Sequence, residues 1–210
     1  MAIQKGDFIE ITYTGYLKED NSIFDTTDPE IGKKEKIPNV KPIIIVIGEG
    51  QVIKGFEDAI IGKELGKEYE LDLSSENAFG KKETNLLKII PLNLFVKQKI
   101  NPFPGLQVNI DGLIGTIKTV GGGRTIVDFN HPLAGKDIKY KFKPIKIIDG
   151  MKEKAEAYLN IIGLKDIGVK TEGKNILIET KKELPKELKE HFEKKFKELL
   201  NAEKTEFKAI

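Results

Sequence analysis

Apolar and polar side chains alternate from Asp7 to Leu17 (Asp-Phe-Ile-Glu-Ile-Thr-Tyr-Thr-Gly-Tyr-Leu), the period-two pattern of a half-buried strand built from β-branched and aromatic residues. Asp20-Asn21-Ser22 turns the chain into Ile23-Phe24-Asp25-Thr26-Thr27, and a polar loop with Pro29 and Gly32 follows. Ile43-Ile44-Ile45-Val46-Ile47 reads as a continuous apolar strand stopped by Gly48-Glu49-Gly50. Ile53, Phe56, Ile60 and Ile61 recur at helical spacing before Gly62, which predicts a short helix. Tyr69–Leu73 alternates as a strand, and Ser74-Ser75-Glu76-Asn77 reads as a capped single turn before Ala78-Phe79-Gly80.

After Gly80 the pattern changes. Pro91, Pro102, Pro104 and Gly121-Gly122-Gly123 punctuate short alternating runs such as Val108-Asn109-Ile110, Leu113–Ile117 and Thr125–Phe129. Turn signals at this density predict a small all-β unit over residues 81–131. Long alternation resumes at Ile138–Phe142 and Ile145–Ile148. From Met151 the spacing turns helical (Ala155, Tyr158, Leu159, Ile162). Val169 and Ile176–Ile178 around Glu172-Gly173 then read as a hairpin. Leu184, Leu188, Phe192, Phe196, Leu199 and Leu200 form one apolar helical stripe with Pro185 in its first turn. An α-β-β-α block of this size buries only about 60% of its unfolded surface. It needs a second surface, either its own core domain or another copy of itself.

The predicted class is therefore α+β: an antiparallel sheet wrapped on a short helix over 1–80 and 132–150, an inserted all-β unit over 81–131, and a C-terminal α-β-β-α domain over 151–210.

Composition narrows the chemistry. The 210 residues are 39% hydrophobic and 32% charged, with Lys+Arg 35 against Asp+Glu 33, so neither wholesale disorder nor a strongly polyanionic partner is expected. Arg124 is the sole arginine; since arginine is the usual bidentate reader of phosphate and guanine, nucleic acid is not an expected partner. No apolar run approaches the roughly 18 residues of a membrane span. The stretch Met1–Asp7 lacks the layout of a secretory leader, so a cytoplasmic location is expected.

Cysteine is absent, which removes thiolate metal sites, disulfides and a thiol nucleophile. His131 and His191 are the only histidines, and neither has partners at metal-ligand spacing, so no metal and no cofactor is expected. Gly121-Gly122-Gly123 lacks the Lys-Ser/Thr of a phosphate loop and reads as a hairpin turn. What remains is aromatic: Tyr13, Phe24, Phe56, Phe79 and Tyr140 on separate elements, with Asp25 beside Phe24 and Val52-Ile53 opening the helix. By spacing alone these rings fill a core.

Four ordered motifs go further. Thr12-Tyr13-Thr14-Gly15-Tyr16-Leu17, Ile23-Phe24-Asp25-Thr26, Gly50-Gln51-Val52-Ile53-Lys54-Gly55-Phe56-Glu57 and Ala78-Phe79-Gly80 together resemble the signature of FKBP-type peptidyl-prolyl cis–trans isomerases. Val127-Asp128-Phe129-Asn130-His131-Pro132-Leu133-Ala134-Gly135-Lys136 is similar to the SlyD branch, which carries an insert-in-flap chaperone domain after the Ala-aromatic-Gly motif.

The resemblance implies a proline pocket lined by Tyr13, Phe24, Asp25, Val52, Ile53, Phe56, Phe79 and Tyr140, with Leu133 as a neighbour. Phe56 would be the floor, where many relatives have Trp. The Ile53 N–H would hold a substrate carbonyl. Asp25 would either face the rotating amide or orient Tyr13. Phe79 departs from the more usual Tyr and Ile43 and Ile45 stand where some relatives have Phe, which favours the alternative of a holdase with a vestigial pocket. The metal-binding tail of some SlyD proteins is missing.

The insert carries Leu86, Leu87, Ile89, Ile90, Leu92, Leu94, Phe95 and Phe103, more apolar side chains than a unit of its size readily buries. These are expected to hold unfolded or proline-containing polypeptides. For residues 151–210 the resemblance is silent; docking on the core and self-association both suit the stripe, with a homodimer preferred.

Overall fold

The structure is a computed structural model and describes residues 2–164 and 167–209. In chain order the elements are β1 (Phe8–Leu17), β2 (Ile23–Thr26), α1 (Pro29–Lys34), β3 (Ile43–Val46), α2 (Lys54–Ile60), β4 (Tyr69–Leu73), β5 (Leu87–Pro91), α3 (Leu92–Lys97), β6 (Gln107–Ile110), β7 (Leu113–Gly121), β8 (Arg124–Asp128), β9 (Ile138–Ile147), α4 (Met151–Ile161), β10 (Gly168–Glu172), β11 (Asn175–Thr180), α5 (Lys186–Leu200) and β12 (Lys204–Ala209). The class is α+β with antiparallel sheets and short helices, and the chain divides into two compact units: Met1–Asp72 with Lys139–Ile210, and Leu73–Ile138. No helix among the described residues is long and apolar enough to cross a membrane.

The first unit is organised by β1. Its sheet runs β2-β1-β9-β4, and β3 also pairs with β1. The first half of β1 meets β3 (Phe8↔Val46 to Ile11↔Ile43) and the second half meets β2 (Thr14↔Thr26, Gly15↔Asp25), both antiparallel. Period-two geometry sends Ile9, Ile11 and Tyr13 to one face and Phe8 and Glu10 to the other. Helix α2 lies on the first face through Phe56 and Ile60, four residues apart and both fully buried. The segment read as a polar loop after Thr27 holds helix α1. Asp28 caps it by accepting from the Glu30 N–H at 2.9 Å, and Pro29 occupies its first turn. Few apolar positions mark this helix, so periodicity had nothing to register.

Residues 151–210 fold as α4-β10-β11-α5-β12, with β10 and β11 antiparallel and β12 parallel to β11. A parallel return requires a crossover, and α5 provides it. Strand β12 has no periodic apolar signal, because Lys-Thr-Glu-Phe-Lys-Ala offers one large apolar side chain, Phe207, on an edge strand whose other positions are exposed apart from half-buried Thr205. The apolar stripe of α5 is buried inside the chain: Phe192, Phe196 and Leu200 join Tyr158, Leu159, Val169, Ile176 and Ile178 in a core that continues into Phe8, Val46 and Ile148. Of the two surfaces the block could lean on, the outer face of β1 and β3 is the one it uses.

The second unit contains a four-stranded antiparallel sheet in the order β5-β8-β7-β6. Its core is Phe95, Val108, Ile117 and Val127, with Ile90, Ile100, Leu106, Ile110, Val120 and Phe129 packed around them. The unit is not purely β, since helix α3 contributes Phe95 to that core. Asn130 straps its two chain ends together, accepting from the Glu83 N–H at 2.8 Å and donating to the Glu83 carbonyl at 3.0 Å.

Because Phe192 is fully buried where the C-terminal block meets its own sheet, Phe192→Ala should lower unfolding free energy by about 3–5 kcal/mol in a urea titration. A loss below about 1 kcal/mol would show that the stripe does not anchor the block.

Candidate active site

Four elements of the first unit converge on one aromatic group. Tyr13 comes from β1, Phe24 and Asp25 from β2, Phe56 from α2 and Tyr140 from β9. Phe56 and Tyr140 stack face to face at 4.4 Å between centroids with 13° between planes. Tyr13 meets Phe56 at 5.5 Å and Tyr140 at 5.6 Å edge-on, and Phe24 meets Tyr140 edge-on at 5.8 Å. Offset-stacked and edge-to-face pairs satisfy the ring quadrupoles as well as burying area. Phe142 closes the layer behind Phe56 at 5.2 Å. Gly15 makes this possible in β1: a Cβ there would lie 2.4 Å from the Phe24 Cζ, so only glycine leaves room for that ring.

Above the stack lies an open hollow of about 400 Å³ lined by Tyr13, Gly50, Gln51, Val52, Ile53, Phe56 and Tyr140. Phe24 and Asp25 flank it rather than line it. Two larger hollows in the same unit, about 540 and 440 Å³, are lined mainly by lysine, glutamate and other polar side chains. The wall of the ring-lined hollow is the Gly48–Ile53 segment. Gln51 Oε1 accepts from the Val46 N–H at 2.8 Å, and Glu57 Oε1 accepts from the Gly48 and Gly50 N–H groups at 2.8 and 3.4 Å. Ile53 is the N-cap residue of α2, and its carbonyl accepts from Phe56 and Glu57. Among the described residues its own N–H has no acceptor, as expected of the orphan donors at a helix start.

The polar atoms of the site are few and oriented. The Tyr13 hydroxyl donates to Asp25 Oδ2 at 2.6 Å. Burial raises the Tyr13 pKa well above the ordinary phenol value, and the hydrogen bond and negative charge of Asp25 push the same way. Burial, aided by Asp25, pushes Tyr140 up to about 12. Both phenols stay neutral, so the hollow presents rings and N–H groups rather than charge.

The remaining expected residues lie in the second unit. Phe79 stacks on His131 at 4.6 Å with parallel rings, and His131 Nδ1 accepts from the Leu133 N–H at 3.2 Å. In the insert, Leu87, Ile89 and Leu94 are exposed, Leu86 and Leu92 half-buried. Phe95 is a correction: at 3% exposure it belongs to the core. Ile90 is half-buried, packing against that core and lining a hollow of about 300 Å³ with Leu86, Ile110, Leu113 and Phe129. Sequence reading missed Val96, Leu113 and Ile114, all more exposed than Leu87. The signal was present, since Leu113-Ile114 directly follows the Asp111-Gly112 turn, where both residues have positive φ.

A sheet curled on one short helix, with an aromatic floor open to solvent, defines an FKBP-like isomerase fold. The chain belongs to the FKBP-type peptidyl-prolyl cis–trans isomerase family: residues 1–96 match that family's profile. A short-type peptidyl-prolyl cis-trans isomerase of Methanocaldococcus jannaschii is 33% identical over 145 residues, covering 67% of this chain and 91% of the relative. The FKBP-type isomerases SlyD of Helicobacter pylori and Escherichia coli are 30% and 27% identical, each over 57% of this chain and 62% of the relative. Residues 88–133 match a second profile, described as FKBP26, IF domain.

Tyr140 also gives the site a pH signature. Below about pH 10 its phenol is protonated in both the folded and unfolded chain. Between there and about 12 the unfolded chain loses a proton that the folded one keeps, so stability falls as pH rises through that window. Tyr140→Phe should remove one late-ionising phenol from the absorbance titration and flatten that fall. A Tyr140 that ionises together with the exposed tyrosines would contradict the burial argument.

Proposed function

We propose that the chain catalyses cis–trans isomerisation of X–Pro peptide bonds in the ring-lined hollow and that the insert holds the unfolded polypeptide supplying them. The observation that carries the catalytic half is the shared solvent-open hollow above Tyr13, Phe56 and Tyr140. Rotation about X–Pro is slow because amide resonance must be broken, at a cost of about 18–20 kcal/mol. No bond to a heavy atom forms or breaks, so neither nucleophile nor metal is required. The planar amide carries more charge separation than the twisted one. A hollow of neutral rings therefore solvates the planar state worse than the twisted state, and that difference accelerates the rotation.

In this reading Phe56 is the floor under the prolyl ring, Tyr13, Tyr140 and Val52 the sides, and Phe24 the brace behind Tyr140. The unpartnered Ile53 N–H takes the substrate carbonyl. The 2.6 Å bond from Tyr13 to Asp25 favours an orienting role for that carboxylate over a direct one. Phe79 and Leu133 enter this reading through their motifs alone, since neither lines the hollow.

The chaperone half rests on exposed apolar side chains: Leu87 and Ile89 share one face of β5, at 41% and 65% exposure, and Ile114 on β7 is 68% exposed. Such surface favours polypeptide contact. Loosely held chains raise the local concentration of prolines at the hollow. Self-association through residues 151–210 loses its argument, because the stripe that would drive it is buried within the chain.

Tyr140→Ala should slow isomerisation of a proline tetrapeptide at least tenfold, about 1.4 kcal/mol of transition-state stabilisation. An unaffected rate would make the protein a holdase and retire the pocket.

The double variant Leu87→Ser/Ile89→Ser should leave tetrapeptide turnover within twofold of the parent while slowing proline-limited refolding of an unfolded protein severalfold. Equal loss of both activities would refute the division of labour.

A further inference from the structure

The wall of the hollow is an irregular segment, with Gly48 and Gly50 both at positive φ, and no strand or helix holds it. Its local tethers come from Gln51 and Glu57, as described above. One further tether arrives from a distant part of the chain. Lys195 Nζ, on α5 of the C-terminal block, donates to both oxygens of Glu49, at 2.9 and 2.7 Å, across 146 residues of sequence. The pair is sheltered, with side-chain exposures of 24% for Lys195 and 17% for Glu49. Glu198 lies 3.8 Å from the same ammonium.

We infer that Lys195 is a positioning residue for the isomerase: through Glu49 it holds the Gly48–Ile53 wall in its substrate-ready shape, making the C-terminal block a brace for the proline pocket. The inference rests on the proposed pocket and goes beyond it, since it assigns a task to the block that the pocket itself does not contain.

Stability alone does not account for such a pair. Sheltering two charges costs solvation that their attraction only roughly repays, so an apolar pair of similar size would anchor the block as well. What the pair adds is direction. Lys195 follows Phe192 by three residues and precedes Phe196, and both rings are fully buried. The ammonium is therefore carried on a rigid helix whose position is set by the block's core. Glu49 adjoins Gly50, the first residue of the wall to line the hollow. A wall that is not held must be ordered when substrate binds, and that ordering weakens binding without changing the chemistry of rotation. Because ground and transition states contact the same wall, the cost falls on KM.

The test is steady-state isomerisation of a proline tetrapeptide by the full chain, comparing Lys195→Met, Glu49→Gln, the double variant and Lys195→Arg. The expected result is KM raised at least threefold in each of the first two, with kcat within twofold. The double variant should be no worse than the poorer single, because both remove one interaction, and Lys195→Arg should recover most of the loss. Merely loosened folding would reduce the fraction of active enzyme, lowering kcat with KM unchanged. KM within twofold of the parent in Lys195→Met and Glu49→Gln overturns the inference, whatever kcat does, and additive losses in the double variant overturn it too. Should one variant fail to fold, the other single carries the test. Tyr140→Ala, run alongside, separates the two readings: if it is slow while KM is unmoved in the charge variants, the pocket stands and the brace falls.

Discussion

The face-to-face contact between Phe56 and Tyr140 is the constraint on which the first unit depends. It joins α2 to β9, and Tyr13 and Phe142 close its edges. The same rings are core on one side and floor of a solvent-open hollow on the other. Folding and the proposed binding therefore draw on one set of contacts. Burying the ring bodies stabilises the sheet on the helix, and the water excluded in doing so keeps both phenols neutral. The proposed site needs no separately built machinery, because in that proposal it only discriminates between a flat and a twisted amide.

Strand β1 extends this economy to its other face. Ile9, Ile11 and Tyr13 point inward, while Phe8 pairs with Val46 on the outer face and enters the core of the C-terminal block. The sheet is thus covered on both sides at this end, and Gly48–Ile53 leaves β3 where the two cores meet. Its tethers come from both: Glu57 from the inner helix, Lys195 from the outer one. The mouth of the hollow is in this way mechanically joined to a domain that contributes no residue to it.

The insert follows a different logic. Its core is small, and a single helical step separates inside from outside: Phe95 is buried, while Leu94 and Val96 on either side of it are exposed. Each residue of a helix turns the side-chain direction by about 100°, so a run of adjacent apolar residues on a short helix must leave some facing water. On β5 the period of two does the same, with Ile90 inward and Leu87 and Ile89 outward. The surplus apolar surface is a consequence of the local pattern.

Much of this was legible in the residue order. Alternation located β1, β4 and β9, helical spacing located α2, α4 and α5, and the family's motifs contain Tyr13, Ile53 and Phe56, three of the residues that line the hollow. Helix α1 and strand β12 were not legible, since each has few apolar positions and is held by a cap or by a neighbouring strand. Nor could the order of residues tell Phe95 from Leu94. The sequence by itself determined the periods, and with them which side chains share a face, because backbone geometry repeats locally. Only the tertiary structure decided what each face meets: that the α5 stripe shares a core with Phe8 and Val46, that Phe24 lies over Gly15, and that Lys195 reaches Glu49. Those choices depend on which surfaces exclude water from one another across the whole chain, and no local period encodes that.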